Sequence, residues 1–317
     1  MDLPVIILVG PTAVGKTFFS IEIAKQLQTE VISADSMQIY KDMSIGTAKV
    51  TDEERQGIIH HLIDVVSPNE AFTVSDFKRL ALDKIDDLHH QQKIPVIAGG
   101  TGLYVNALIY DLDFSKTIGD EKIRNELQLL YENNGANFLH QLLSAKDPVS
   151  AKKIHPNNVK RVMRAIEVCL ITQKPFSGFN PDFRKESENY DFIIIGLEIN
   201  RELLYNRINE RVDKMLHDGL IDEVISLVKK GYPKTLPAMQ GIGYKEIIDY
   251  VEGQTTFDEA IRLIKRNSRR LAKRQFTWFK ADPRIRWFQV DLEAPIKTKQ
   301  NIMKFMKERG IRNEAVY

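Results

Sequence analysis

With 317 residues, 43% of them hydrophobic and 28% charged, the chain has the apolar mass for a large core and is no disordered polypeptide. A net charge of +2 excludes a globally basic nucleic-acid binder, so any RNA surface must come from local clusters of basic residues. The single cysteine, Cys169, excludes an intramolecular disulfide and a cysteine-based zinc site, and no stretch has the continuous apolar length of a membrane span; the expectation is a cytoplasmic protein with no membrane association.

Val5-Ile6-Ile7-Leu8-Val9 is a continuous apolar run between Pro4 and Gly10, the pattern of a strand buried on both faces. It leads straight into a glycine-rich loop, so no cleavable leader is expected. A helix is expected over residues 16–27, with Phe19, Ile23 and Leu27 on one stripe. Residues 31–34 form a second strand candidate ending at Asp35. Residues 73–90 are helical in period, with Thr73 or Ser75 as cap and Phe77, Leu80, Ala81, Ile85 and Leu88 facing inward. A third strand over residues 95–98 stops at Gly99-Gly100. This alternation predicts an α/β fold, a parallel sheet with helices on its faces. After Asp113 the period is helical throughout residues 120–172, with stripes Ile123, Leu127, Leu130 and Val159, Val162, Ile166, Leu170. Residues 177–190 have the composition of a linker or mobile loop. Residues 192–197 resume the buried-strand pattern, and the remainder is mostly helical. The expected organisation is a core domain of residues 1–114 and 190–317, interrupted by a helical insertion at 115–189.

Gly10-Pro11-Thr12-Ala13-Val14-Gly15-Lys16-Thr17 satisfies the G-x-x-x-x-G-K-[ST] pattern of a phosphate-binding loop and lies between a strand and a helix, where that loop works. Inward-pointing amides and the helix N-terminus attract phosphate, Lys16 adds a full charge, and the Thr17 hydroxyl suits Mg²⁺. Nucleotide-binding enzymes commonly use this loop for ATP, but they also offer an acid at the end of a later strand. Here that junction reads Gly99-Gly100-Thr101-Gly102-Leu103-Tyr104, without a carboxylate. Asp35 lies at the end of the second strand, which opens onto the same crevice. It reads as a base facing an acceptor, with a helix cap as the alternative.

Arg207 and Arg211 stand one turn apart on a helix expected from residue 201 to 217, either as solvated surface arginines or as phosphate ligands. Farther on, Arg262, Lys265, Arg266, Arg269, Arg270, Lys273, Arg274 and Lys280 occur with no acid between residues 262 and 281, which favours a phosphodiester backbone as partner. Ile261, Ile264, Leu271 and Trp278 are the expected buried stripe of that helix. Lys152, Lys153, Lys160, Arg161 and Arg164 make a second basic cluster. The pairs His60-His61 and His89-His90 are poor chelators, because neighbouring side chains point apart; they read as structural, with His61 helping to shape the site. Cys169, Tyr104 and Phe114 read as packing residues.

In sequence order, the phosphate-loop block, Ile32-Ser33-Ala34-Asp35-Ser36-Met37-Gln38-Ile39-Tyr40, Ile45-Gly46-Thr47-Ala48-Lys49 and His61-Leu62-Ile63-Asp64 resemble successive blocks of the tRNA dimethylallyltransferase family. So do the Gly99 to Tyr104 block, Lys160-Arg161-Val162-Met163-Arg164-Ala165-Ile166-Glu167-Val168, Gly241-Ile242-Gly243-Tyr244 and Leu271-Ala272-Lys273-Arg274-Gln275-Phe276-Thr277-Trp278. The resemblance implies a P-loop, nucleotide-kinase-like sheet with a helical insertion. It implies transfer of a dimethylallyl group from dimethylallyl diphosphate to the N6 amine of adenosine 37 in tRNAs reading codons that begin with U. Diphosphate would lie on residues 10–17 with Arg207 and Arg211, and Mg²⁺ on Thr17. Asp35 would be the general base, in a catalytic set with Lys16, Thr101 and Arg211. The tRNA anticodon stem-loop would meet Asp35, Ser36, Met37, Gln38, Thr101, Arg124, Lys160, Arg161, Val162, Met163 and Arg164. It would also meet Gln240, Gly241, Ile242, Gly243, Tyr244 and Lys245, while Arg269, Arg270 and Arg274 come from the basic run. A monomer is expected. The residues alone leave open a small-molecule or nucleoside kinase using the loop for ATP, and a non-catalytic RNA-binding module.

Overall fold

The structure, a computed structural model, describes residues 4–110, 112, 119–178 and 185–311. Phe114 and part of the expected 177–190 loop lie outside the described residues. The chain divides into two compact units, one of Met1–Ile109 with Ser187–Tyr317 and the other Tyr110–Glu186.

The first unit begins with β1 (Pro4–Val9), α1 (Lys16–Leu27), β2 (Val31–Ser33), α2 (Asp52–Arg55), β3 (His60–His61), α3 (Val74–His90), β4 (Val96–Gly99) and α4 (Gly102–Ile109). The second contains α5 (Glu121–Lys146), α6 (Pro148–Lys153) and α7 (Val159–Thr172). The chain then returns to the first with β5 (Asp191–Glu198), α8 (Arg201–His217), α9 (Leu220–Lys229), α10 (Tyr244–Val251), α11 (Phe257–Lys280), β6 (Arg286–Gln289) and α12 (Pro295–Glu308).

The strands form one sheet in the order β3-β2-β4-β1-β5-β6, and every pairing is parallel. Strand β1 lies inside the sheet, with Leu8 registered on Ala98 of β4 and Ile195 of β5. Its residues from Val5 to Val9 are fully buried, which is why the sequence there is unbroken by polar residues. Each such aliphatic side chain contributes about 1.5–3 kcal/mol relative to exposure. Phe19 and Ile23 of α1, Leu204 and Ile208 of α8 and Ile302 and Met306 of α12 pack with Ile6, Leu8 and Ile195 in one core cluster. Thr73 caps α3 through a reciprocal box with Asp76.

Two strands have no signal in the sequence. β3 is only two residues long, and β6 is an edge strand of mixed exposure, so neither offers a readable period. The stripe assigned to α11 needs one correction. Trp278 is 43% exposed; the buried positions are Ala260, Ile264, Ala272 and Phe279. One residue step on a helix is about 100° of rotation, so burying Phe279 turns Trp278 outward. Its indole lies across Gly102, where a Cβ would collide with the ring.

The second unit has its own core of Leu127, Leu139, Leu143, Ala151, Ile154, Val162, Ala165 and Ile166. Helix α5 breaks its geometry at Gly135, with φ 80° and ψ 177°. Among the described residues, no helix is long and apolar enough to cross a membrane.

Candidate active site

The turn after β1 wraps residues 10–15 with left-handed or near-extended backbone at Gly10, Ala13 and Gly15, at φ 153°, 65° and 106°. That path delivers the chain to the N-terminus of α1 at Lys16. The Lys16 ammonium folds over the loop and donates to the carbonyls of Pro11 at 2.8 Å and Gly10 at 3.0 Å. Burial pulls its pKa down to about 8; Asp35 opposes this shift and Arg211 adds to it. Helix α8 brings two guanidinium groups to the same loop. Arg207 Nε donates to the Ala13 carbonyl at 2.9 Å, and Arg211 Nη1 donates to Thr12 Oγ1 at 3.2 Å. Arg211 is also pushed down by burial, with the charge of Asp35 opposing the shift. Sequestered cations around a helix N-terminus make a strong anion site. The reading of these arginines as merely solvated does not hold.

Asp35 follows β2 and is half-buried. No helix starts here: Asp35 Oδ1 accepts from Met37 N at 2.9 Å, closing a turn, so the helix-cap alternative fails. The next loop braces this one. Thr101 N donates to the Ala34 carbonyl at 3.2 Å, and Ser36 N donates to Thr101 Oγ1 at 2.9 Å. Gln38 is engaged from both ends, accepting from Ser33 Oγ at 3.0 Å and donating to the carbonyls of Thr47 and Ala48 at 3.3 and 3.2 Å.

A cavity of about 60 Å³ is lined by Lys16, Thr17, Ser33, Asp35, Gln38 and His60, among others. Asp35 therefore shares a cavity with the Lys16 cradle. The buried Nε2 of His60 has no partner among the described residues, and burial lowers the pKa of this ring. His60 lines the cavity; His61 instead pairs with Glu30 at 2.6 Å, which corrects its expected share in the site. Among the described residues, no three His, Cys, Asp or Glu side chains gather as a metal site.

The expected RNA-facing residues divide sharply. On α11, Arg270 and Arg274 are exposed, while Arg269 is half-buried and donates to Asn209 Oδ1 at 2.5 Å. Gln240 is exposed, Gly241, Ile242 and Lys245 are half-buried, and Gly243 and Tyr244 are buried. Tyr244 requires a correction: its side chain is 0% exposed and its hydroxyl donates to Glu223 Oε1 at 2.6 Å, so it packs the fold and cannot touch RNA. In the helical unit, Lys160 and Arg161 are exposed and Met163 is half-buried. Val162, also 0% exposed, belongs to that unit's core and is corrected likewise. Arg124 and Arg164 both bind Glu167, at 2.7 and 2.5 Å, and Glu167 is only 1% exposed. A buried carboxylate requires such partners, so these arginines hold the unit together. Cys169 and Tyr104 are buried as expected, with Tyr104 stacked on Phe77 at 4.1 Å.

Two organising residues were given no role by the sequence reading, although Gln275 stands in its closing block. Glu223 accepts from the backbone amides of Ser44, Ile45 and Gly46 at 2.8, 2.8 and 3.0 Å. Gln275 bonds Thr12 N and the Gly100 carbonyl at 2.9 and 3.0 Å. The available signal was a glutamine lying between Ala272 and Phe279 on the buried stripe of α11.

The model of the IPP transferase family matches residues 38–282. A tRNA dimethylallyltransferase of Acetivibrio thermocellus is 50% identical, covering 97% of this chain and 98% of the relative. One from Clostridioides difficile is 48% identical over 96% of this chain and 98% of its own. Among solved structures, the full-length tRNA isopentenylpyrophosphate transferase of Bacillus halodurans is 43% identical, with a TM-score of 0.71 and 98% of each chain covered. A eukaryotic dimethylallyltransferase acting on tRNA is 29% identical, with a TM-score of 0.78 over 98% of this chain and 81% of that one. These relatives lend no support to the kinase reading. With a parallel sheet carrying a phosphate loop and an acid across from it, and with near-full-length identity of this order, the chain belongs to the IPP transferase family, the tRNA dimethylallyltransferases.

Proposed function

We propose that this transferase moves a dimethylallyl group from dimethylallyl diphosphate to the N6 amine of adenosine 37 in tRNAs reading codons that begin with U, releasing diphosphate. The observation that carries the reading is Asp35 lining the same cavity as Lys16, at a loop that also holds Arg207 and Arg211. The loop amides, Lys16 and both arginines hold the diphosphate. As the C1–O bond stretches, negative charge grows on the leaving group, so these cations stabilise the transition state more than the ground state. The adenine lone pair is delocalised, and N6 attacks C1 only as its proton leaves. Asp35 accepts that proton while the N6–C1 bond forms and diphosphate departs, an effect worth about 10²–10⁴-fold. The target base has to leave its stack to reach this carboxylate.

The donor set also fits Mg²⁺, which keeps several waters and takes oxygens from a phosphate plus one or two protein groups. Thr17, which lines the same cavity, would hold it. When bound, the ion would neutralise charge on the departing diphosphate. The exposed Arg270 and Arg274 of α11, and Lys160 and Arg161 of the helical unit, are the proposed contacts to the phosphates of the anticodon stem-loop. Support for tRNA as acceptor comes from the relatives' names. The test is incubation with unmodified tRNA, Mg²⁺ and labelled dimethylallyl diphosphate. Label recovered at N6 of adenosine 37 is expected; ATP turnover without labelled RNA would favour a kinase instead.

A further inference from the structure

Helix α11 carries a basic outer face, yet at Gln275 it reaches inward to two loops that follow neighbouring strands. The Gln275 carboxamide oxygen accepts from Thr12 N at 2.9 Å, and its nitrogen donates to the Gly100 carbonyl at 3.0 Å. Thr12 belongs to the phosphate loop after β1, and Gly100 to the turn after β4. Thr101, the next residue, braces the Asp35 loop through Ala34 and Ser36. A Cβ at position 100 would collide with Gln275 Nε2, so the two groups meet without slack. One carboxamide thus ties the leaving-group cradle to the loop that steadies the base.

We infer that Gln275 is a positioning residue that fixes the separation between the diphosphate cradle and Asp35. The inference rests on the proposed reading of the site as a diphosphate cradle facing a base. Glutamine is chemically specific here because one end has to accept from an N–H and the other has to donate to a C=O. A glutamate presents acceptors at both ends, and a methionine of similar length presents neither. Displacing one loop by about 1 Å costs on the order of 10²-fold when reacting groups must meet in line.

The test uses the full chain and the variants Gln275→Glu and Gln275→Met. The readouts are the single-turnover rate of label transfer to unmodified tRNA at saturating substrates, as a ratio to wild type at each pH, and the affinity for inorganic diphosphate. At pH 8 both variants should transfer about 10- to 100-fold more slowly, while inorganic diphosphate binds within a few-fold of wild type. The Gln275→Glu deficit should shrink as the pH falls towards about 4.3, the ordinary glutamate value, because a neutral carboxyl again donates to Gly100 while accepting from Thr12. The Gln275→Met deficit should stay level. Lys16, Arg211 and Asp35 of the site and Lys273 and Arg274 on α11 also carry charge around this position, and the ratio to wild type removes their own titration. Saturation keeps any repulsion of substrate out of the rate. Wild-type rates in both variants, or a Gln275→Glu deficit as level as that of Gln275→Met, would overturn the inference alone. A wild-type chain that transfers no label would overturn the reading of the site and the inference with it.

Discussion

At Asp35 the carboxylate has two jobs, and a substitution can separate them. One oxygen accepts from Met37 N and holds the turn; asparagine keeps that oxygen but loses the basicity. Asp35→Asn should therefore lower kcat by about 10²–10⁴-fold with tRNA affinity nearly unchanged. Turnover near the wild-type value would remove Asp35 from the role of base. Lys16 offers a second handle. Its pKa is lowered to about 8 by burial and by Arg211, against the pull of Asp35. The protonated form binds diphosphate, so kcat/KM for dimethylallyl diphosphate should hold up to that pH and decline as pH rises through it. A level profile well into the alkaline range would contradict this electrostatic picture. Of the residues proposed for the site, the phosphate loop and Asp35 were legible in the sequence because their chemistry is written in adjacent positions. Val162 and Tyr244 were misjudged because a motif block does not say which of its members face the core.

On the scale of single elements, α3 follows its apolar period closely and Thr73 caps it as expected, whereas α1 buries Ser20, Ile21 and Ala24 beside Phe19 and Ile23 and so a wider face than the expected stripe. Helix α11 shows where periodicity runs short. Its basic residues wrap around much of the helix, so the choice between Trp278 and Phe279 as the buried aromatic could not be made locally. The structure also shifts weight among its arginines, since Arg269 is tied to Asn209 while Arg270 and Arg274 are exposed. Charge reversal of Arg270 and Arg274 together should weaken tRNA binding. It should also flatten the plot of log affinity against log salt, by about 0.9 for each duplex phosphate that is no longer neutralised. An unaltered slope would mean that this face does not meet the RNA backbone.

Considered as a whole, the molecule keeps the side chains proposed to hold diphosphate in one unit, while the helical unit has a separate core around Leu139 and Val162. Leu139→Ala should destabilise that helical unit by about 2–5 kcal/mol through the cavity it leaves. Binding of inorganic diphosphate, followed by calorimetry, should be nearly unaffected, since Lys16, Arg207 and Arg211 all lie in the other unit. A parallel loss of both would show that the cradle depends on the helical unit.

The parallel α/β class, the phosphate loop and the candidate base could be read from the chain directly, because strand periodicity, helix caps and glycine-rich turns act over a few neighbouring residues. Which distant segments close on that loop was not decided by local pattern, which left Arg207 and Arg211 between solvated and phosphate-facing. Arg207, Arg211 and Gln275 reach residues 12 and 13 across 194 to 263 positions of sequence. Those meetings depend on the order β3-β2-β4-β1-β5-β6 and on how α8 and α11 pack against it. Local pattern carries the propensity of a segment and the face it buries, whereas the partner of a side chain at the far end of the chain is set only when the whole core assembles.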